Sequence, residues 1–592
     1  MKTSRQIVTR SAASGTGGAV AAARQETAEA GARMLELGGN AVDAAVAMGF
    51  VAGVVEPMET TVAGSGFMLV HVPADGKVHS VEFGPRAPAA ARPDMYTIDT
   101  TRAVDRGLGV SIVVNDENVQ GPTSLGVPGT MTALIDAHAR FGSLPLTTVM
   151  APAIAAANDG FAADAYYALA VLMNQAALRA DPGAASVFFD NGNILLGGHM
   201  GDSFGGPAPR VKQKALARTL EVLAAKGAAA VREGEIGDAL VATMKERGGL
   251  LSRDDLRGAT PHIGEARRIT LRDHEIWGPA APCGTLTQIQ MLKTWLALYP
   301  ERAPGDDTPE RITRLAALSW HAFADRYHWL GDPERVAVPE QALASDAYAA
   351  EIAAAITRGD APPRVTPAEG MPWEVFAGRA AHDPWPFQAA SMTKPVWRPI
   401  SGTEPTSGTT HMSVIDRNGM AVSLTHTAAN HFGAKVVCPR TGLLFDCAMG
   451  WFNACSNAAN SIAGGKRPLA NMAPVMITKG GRVTAALGAP GGRRIISAVF
   501  QIALNLVERR MAAADAVLAP RIDASGSTML ASERLKPVLA QLDRDALPWQ
   551  TVTEQHLPFG YEMARPVLVT RDAAGGVQGV TDPFAKGFAI AV

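Results

Sequence analysis

A threonine hydroxyl at position 409 is a weak nucleophile at neutral pH and needs a base to take its proton. If the peptide bond before it were cut, the new α-amine on the same residue, with an ordinary pKa of about 7.7–8.0, would supply that base. The run Gly408-Thr409-Thr410-His411 suits such a cut, because glycine tolerates the distorted backbone that an N-to-O acyl shift requires. Taken alone, the run also reads as the β-branched start of a strand. A second run, Ala485 to Arg494, leads a strand into the turn Pro490-Gly491-Gly492 and opens an apolar helix over Ile495–Val507. Adjacent N–H groups at such a turn can hold an oxyanion. Its spacing fits neither dinucleotide-binding nor P-loop glycine patterns. His411 is a candidate base, but a nucleophile that carries its own amine does not require one. Asp416 and Asp446 receive no role.

The elements that must position these groups lie on both sides of them. His411–Asp416 and Met420–Thr427 read as strands joined through Arg417-Asn418-Gly419, a hairpin signal. Upstream, from Arg358 to Gly408, nine prolines including Pro362, Pro384, Pro395 and Pro405 break any regular element, so a long irregular segment runs straight into the Thr409 strand. Nearer the N-terminus, Thr27–Leu37 has helix composition and Gly38-Gly39 can stop it. Asn40 with Asp43 can start a second helix, apolar on nearly every side through Val55 and ended by Glu56-Pro57. Helices are also expected within Val211–Arg247, Arg311–Trp329 and around Ala151–Ala157, and short strands at Val78–Phe83 and Glu275–Trp277.

With 592 residues, 47% of them hydrophobic and 19% charged, the chain reads as a globular protein with several domains or one large layered α/β body. The balance of 54 Lys+Arg against 56 Asp+Glu gives no global electrostatic argument for nucleic acid or an anionic membrane as partner. The longest apolar run, Ala44–Val55, is shorter than the roughly 20 residues a bilayer requires. The N-terminus lacks the apolar core of a secretory signal, so the cytoplasm is the expected location. Cys283, Cys438, Cys447 and Cys455 match no zinc spacing and are expected as free thiols, with no metal and no cofactor.

Several short motifs, in order, resemble the gamma-glutamyltransferase family. They are Asn40-Ala41-Val42-Asp43-Ala44-Ala45 with Glu56-Pro57 and Gly64-Ser65-Gly66-Phe67-Met68, then Gly126-Val127-Pro128-Gly129-Thr130, Gly160-Phe161, Gly248-Gly249-Leu250 with Asp255-Leu256, and Pro282-Cys283-Gly284. Thr409-Thr410-His411-Met412-Ser413-Val414 is similar to the family's processing site and Pro490-Gly491-Gly492 to its oxyanion turn. The resemblance spans roughly residues 20 to 590 and implies a four-layer αββα fold of the N-terminal-nucleophile hydrolase type, α/β in class. It further implies an autocatalytic cut between Gly408 and Thr409 into a large subunit, 1–408, and a small one, 409–592. Thr409 would attack a small-molecule amide, Thr427 would support it, Gly491 and Gly492 would hold the oxyanion, and water or an amine would accept the acyl group.

The same resemblance marks where this chain departs. The family's glutamyl-gripping arginine corresponds to Gly84, its asparagine after the supporting threonine to Ala429, its Ser-Ser pair to Ala470-Asn471 and its aspartate to Trp451. Each lost charge-assisted hydrogen bond is worth about 1.5–3 kcal/mol, so the expected acyl group is not an ordinary gamma-glutamyl one. Arg86, Asn430, Trp451, Asn471 and Arg493 are the candidate substrate-binding residues. Trp451 suggests a flatter, more apolar site, whereas Arg86, Arg493, Arg494 or Lys466 keep a small oxalyl-type acid such as oxamate open; cephalosporin-like side chains and cleavage of a C–C bond beside an oxalyl group are further analogies. A true glutathione hydrolase with a rebuilt glutamyl site, and an uncut binding protein without activity, are the alternatives.

Overall fold

The computed structural model describes residues 8–101, 112–195, 209–280, 282–359, 383–397, 407–526, 528–544, 547–553 and 563–592. Its centre is a pair of seven-stranded sheets. In chain order their strands are β1 Ala13–Gly15, β2 Gly18–Ala22, β3 Ser65–Val72, β4 Lys77–Phe83, β5 His262–Glu265, β6 Arg267–Leu271 and β7 His274–Gly278. The later ones are β8 Ser407–Asp416, β9 Ala421–Asn430, β10 Val475–Lys479, β11 Arg482–Gly488, β12 Val567–Arg571, β13 Val577–Thr581 and β14 Phe588–Ala591. One sheet runs β14-β2-β8-β9-β3-β4-β5 and the other β1-β13-β12-β11-β10-β7-β6. Both sheets combine strands from before and after residue 408. The chain end is woven in as well: Val592 N–H donates to Gly18 O at 2.9 Å and its carbonyl accepts from Gly17 at 2.7 Å.

Period-two alternation sorts the side chains of β8 between two layers. Met412 and Val414 face the helices α1 Gln25–Glu36 and α2 Ala41–Val55. Ile415 instead meets Met476, Ala486 and Val569 of the other sheet in the layer between the sheets. Beyond that second sheet lie α3 Thr285–Leu298, α4 Pro309–Trp329 and α5 Arg494–Val507. The order is helix, sheet, sheet, helix: the four-layer αββα sandwich of the N-terminal-nucleophile hydrolases.

Helix α2 is buried at every residue, as its all-round apolar sequence requires. Its start is fixed by a capping box: the Asn40 side chain accepts the N–H groups of Val42 and Asp43, and the Asp43 carboxylate accepts the N–H of Asn40. Its end hands the chain to a short polar loop, Glu56 to Gly64, before β3. The expectation over Val211–Arg247 is met by three helices, Lys214–Lys226, Ala229–Arg232 and Glu235–Arg247, while Val211 belongs to a two-residue strand. The first break falls at Gly227, whose φ of 63° no helix accommodates. Of the proline-rich stretch, 360–382 and 398–406 lie outside the described residues; between them only a 3₁₀ turn, Trp385–Phe387, is regular. The Thr409 strand starts earlier than the sequence suggests, at Ser407. Among the described residues no helix is long and apolar enough to cross a membrane, and no group of His, Cys, Asp and Glu is arranged to hold a metal.

Candidate active site

Strands β8 and β9 pair in register from Ile415 back to Thr409↔Thr427, and there the ladder slips: Gly408 faces Ala429, leaving Ala428 unopposed. This bulge bends β9 opposite the Gly408–Thr409 peptide. It also drives Ala429 to φ 72°, a conformation costly for alanine. No side chain would fit before that peptide, because a Cβ on Gly408 would lie 2.7 Å from Asn430 O and 2.8 Å from Met58 O.

Three oxygens converge at the kink. Thr409 Oγ1 is 2.8 Å from Gly408 O and 3.0 Å from Thr427 Oγ1. The Thr427 hydroxyl donates to Gly408 O and accepts the N–H of Ala429 at 2.8 Å. Each hydroxyl has one proton. With Thr427 spending its own on the carbonyl, Thr409 can direct its proton at Thr427 Oγ1, which frees its lone pairs on the carbonyl side.

The nitrogen of Thr409 has a partner no motif announced. Its N–H donates to Glu59 Oε2 at 3.1 Å, from the loop after α2. The other oxygen, Oε1, accepts Arg565 Nη2 at 3.1 Å and the Tyr166 hydroxyl. Burial alone would raise the Glu59 carboxyl. Arg565, His431, Tyr166 and the Thr409 N–H outweigh it and hold Glu59 below its ordinary value, so it is an anion. Arg565 also braces the glycine turn, since its N–H donates to Pro490 O at 3.0 Å. In that turn Gly491 and Gly492 have φ of 141° and 59°, and a Cβ on Gly491 would lie 2.6 Å from Ala564 Cα. Among the described residues nothing accepts the N–H of either glycine. Thr409 and Pro490 line one cleft of about 490 Å³, together with Arg24, Glu59, Tyr166 and Arg565.

The remaining sequence candidates go elsewhere. His411 is locked between Thr425 Oγ1 at 2.7 Å and Ser413 Oγ at 3.0 Å, and burial pushes it down to about 3, so it is neutral and structural. Asp446 caps backbone, accepting from Gly126 N–H at 2.8 Å. Asp416 does likewise at the hairpin, accepting from Asn418 N–H at 2.8 Å. Asn430 ends β9 beside the bulge, and its side-chain oxygen accepts the N–H of His431 at 2.8 Å. Arg86 is exposed, donates to Gly465 O at 3.2 Å and lines a separate cleft with Gly84, Glu82 and Arg467. Trp451 is core, 6% exposed on a 3₁₀ turn. Asn471 accepts from the buried Arg326 at 2.9 Å, Arg493 donates to Ser525 Oγ at 2.8 Å, and Lys466 donates to Ala459 O and Ser461 O at 2.8 Å. None of these lines the Thr409 cleft. Glu59, Tyr166 and Arg565, which do, left only one trace in the sequence: a charged pair, Glu56 and Glu59, set between a wholly apolar helix and a buried strand.

Comparison with known proteins agrees with this architecture. A family model described as gamma-glutamyltranspeptidase matches residues 27–592. An acylase ACY 1 proenzyme from Pseudomonas sp. (strain V22) is 34% identical over 530 residues, 89% of this chain and 86% of the relative. A glutathione hydrolase proenzyme from Pseudomonas sp. (strain A14) is 31% identical over 518 residues, 85% of this chain and 81% of the relative. The fold superposes on cephalosporin acylase from Bacillus halodurans with a TM-score of 0.79 at 22% identity, covering 100% of this chain and 99% of that one. The chain belongs to the gamma-glutamyltranspeptidase family, and with it to the N-terminal-nucleophile amidohydrolases.

Proposed function

We propose that the chain cuts itself between Gly408 and Thr409 into pieces 1–408 and 409–592, and that Thr409 then hydrolyses amides whose acyl group is not gamma-glutamyl. The observation that carries the cut is the meeting of Thr409 Oγ1, Thr427 Oγ1 and Gly408 O at the bulge. Thr409 Oγ attacks the Gly408 carbonyl carbon, and the Thr427 proton already on that oxygen receives the developing charge. The C–N bond breaks as the nitrogen takes the hydroxyl proton, which frees the α-amine and leaves Gly408 esterified to Oγ; water then hydrolyses that ester to the Gly408 carboxylate and restores the hydroxyl. In turnover that amine takes the hydroxyl proton, Oγ attacks the substrate amide, and the N–H groups of Gly491 and Gly492 hold the oxyanion; the substrate's amine departs with that proton, and water then hydrolyses the acyl ester on Oγ.

The altered acyl preference rests on the glutamyl-gripping positions. At Gly84, where the family's arginine belongs, even a Cβ would lie 2.7 Å from the Phe67 ring. Trp451 stands in the core where a carboxylate is expected. The relatives named acylase act in the same direction, and those named glutathione hydrolase supply the rival reading.

Purified protein should run as two bands on denaturing gels, the smaller with N-terminal sequence Thr-Thr-His. A single full-length band counts for an uncut binding protein. Against a panel of acyl anilides, turnover of a simple acyl anilide should exceed that of the gamma-glutamyl anilide by at least about 10²-fold, the discrimination expected from two lost charged contacts. Comparable rates would return the chain to the glutathione hydrolases. Gly408→Ala should lower the fraction of chain that is cut, because both obstructing atoms are backbone; an unchanged band pattern would show that the space can open.

A further inference from the structure

The proposed reaction asks two things of the freed α-amine: it must point at Oγ, and it must be neutral when substrate arrives. A lone carboxylate at hydrogen-bond distance answers the first and defeats the second, since an adjacent anion favours the ammonium form. Glu59 is within 3.1 Å of the Thr409 nitrogen, but its charge is not alone. Arg565 holds the far oxygen at 3.1 Å and packs, half-buried, against Tyr166, whose ring its guanidinium approaches to 5.9 Å.

We infer that Glu59 is the cradle of the Thr409 α-amine, and that Arg565, with the Tyr166 hydroxyl, cancels its charge so that the amine is oriented yet remains a base near neutral pH. This rests on the reading that Thr409 is freed by the cut.

The other titratable groups around the cleft are spent on one another. Arg24 and Lys586 both face Asp164, at 3.1 and 3.4 Å, and Asp582 is paired with Arg521 at 2.8 Å. Burial raises Glu56 to about 7, against the opposing pull of Arg24, and lowers His431, against the opposing pull of Glu59. The hydroxyls of Thr410 and Thr427 carry no charge. Glu59, with its partner Arg565, is the charged group in direct contact with this nitrogen.

The signature is a pair of opposite shifts. Arg565→Leu leaves the carboxylate uncompensated and should raise the amine's pKa by about one unit or more. Glu59→Gln keeps an acceptor but leaves the guanidinium unopposed, and should lower it by a similar amount. Tyr166→Phe removes only a hydrogen bond and should raise it by less. The amine is titrated without any substrate, by the pH dependence of its carbamylation with cyanate, read as mass added to the piece that begins at Thr409. The acid limb of kcat/KM should follow: to higher pH in Arg565→Leu, to lower pH in Glu59→Gln.

Equal titration of the amine in wild type and variants, or shifts of the same sign in Arg565→Leu and Glu59→Gln, would overturn the inference while leaving Thr409 as nucleophile. If Glu59→Gln stays uncut or unfolded, upward shifts in both other variants support the inference and their absence overturns it. A wild-type chain with no free threonine amine removes the reading beneath it as well.

Discussion

Thr409→Ala should leave one full-length band and lower amide turnover by about 10⁴-fold or more, the loss seen when an activated hydroxyl nucleophile is removed. Both effects follow from one atom. Oγ1 is the group 2.8 Å from the Gly408 carbonyl oxygen, and alanine has nothing there to open the peptide. Without the cut there is no α-amine, so the variant lacks nucleophile and base together. The β8–β9 ladder and the packing of α2 do not depend on that hydroxyl, so the melting temperature should stay near that of uncut wild-type chain. Thr409→Ser keeps the hydroxyl and should be cut and active, more slowly because serine's rotamers are less restricted than those of a β-branched residue. Two bands from the alanine variant would mean that the cut is elsewhere.

Thr427→Val removes a hydroxyl while keeping the volume, and should slow the cut by about 10²–10³-fold, the effect of deleting one oxyanion donor. Here three roles fall on one oxygen: donor to Gly408 O, neighbour of Thr409 Oγ1, and acceptor for the Ala429 N–H. The last has its own cost of about 1–3 kcal/mol, because valine leaves a buried N–H without an acceptor exactly where the bulge strains the backbone. A time course of precursor loss reports the first two roles, and a thermal melt of the uncut protein reports the third. A variant that is destabilised but cut at the wild-type rate would reduce Thr427 to a brace for the bulge.

The parts of this molecule that were legible in the sequence are those fixed by neighbours in the chain. The hairpin around Asn418-Gly419, the capping box at Asn40 and Asp43, the glycine turn and the helix after it are local patterns, and each is present. The pairing of Thr409 with Thr427, eighteen residues apart, needed only a hairpin to bring it about. Glu59 and Arg565 were not legible, because Glu59 reaches Thr409 from 350 residues upstream and Arg565 reaches Glu59 across 506. Arg86 and Trp451 illustrate a different failure. Their places in the chain suggested a role in binding, but side-chain direction on a turn is set by packing, which sent one to solvent and the other to the core.

The sharing of both sheets between strands on either side of residue 408 has a consequence for how the protein can be lost. In the proposed maturation, folding before the bond at Thr409 opens is a first-order event within one chain. Afterwards the same sheets would be held by two chains, neither of which contains a complete sheet: β2 lies between β14 and β8, and β13 beside β1. Unfolding then releases two partners, and recovery becomes a second-order reaction in which each must meet the other with its edges unpaired and its apolar faces open. Recovery slows with dilution and competes with aggregation. A chain matured in this way would endure through its unfolding barrier, and its assembly instructions would be used once.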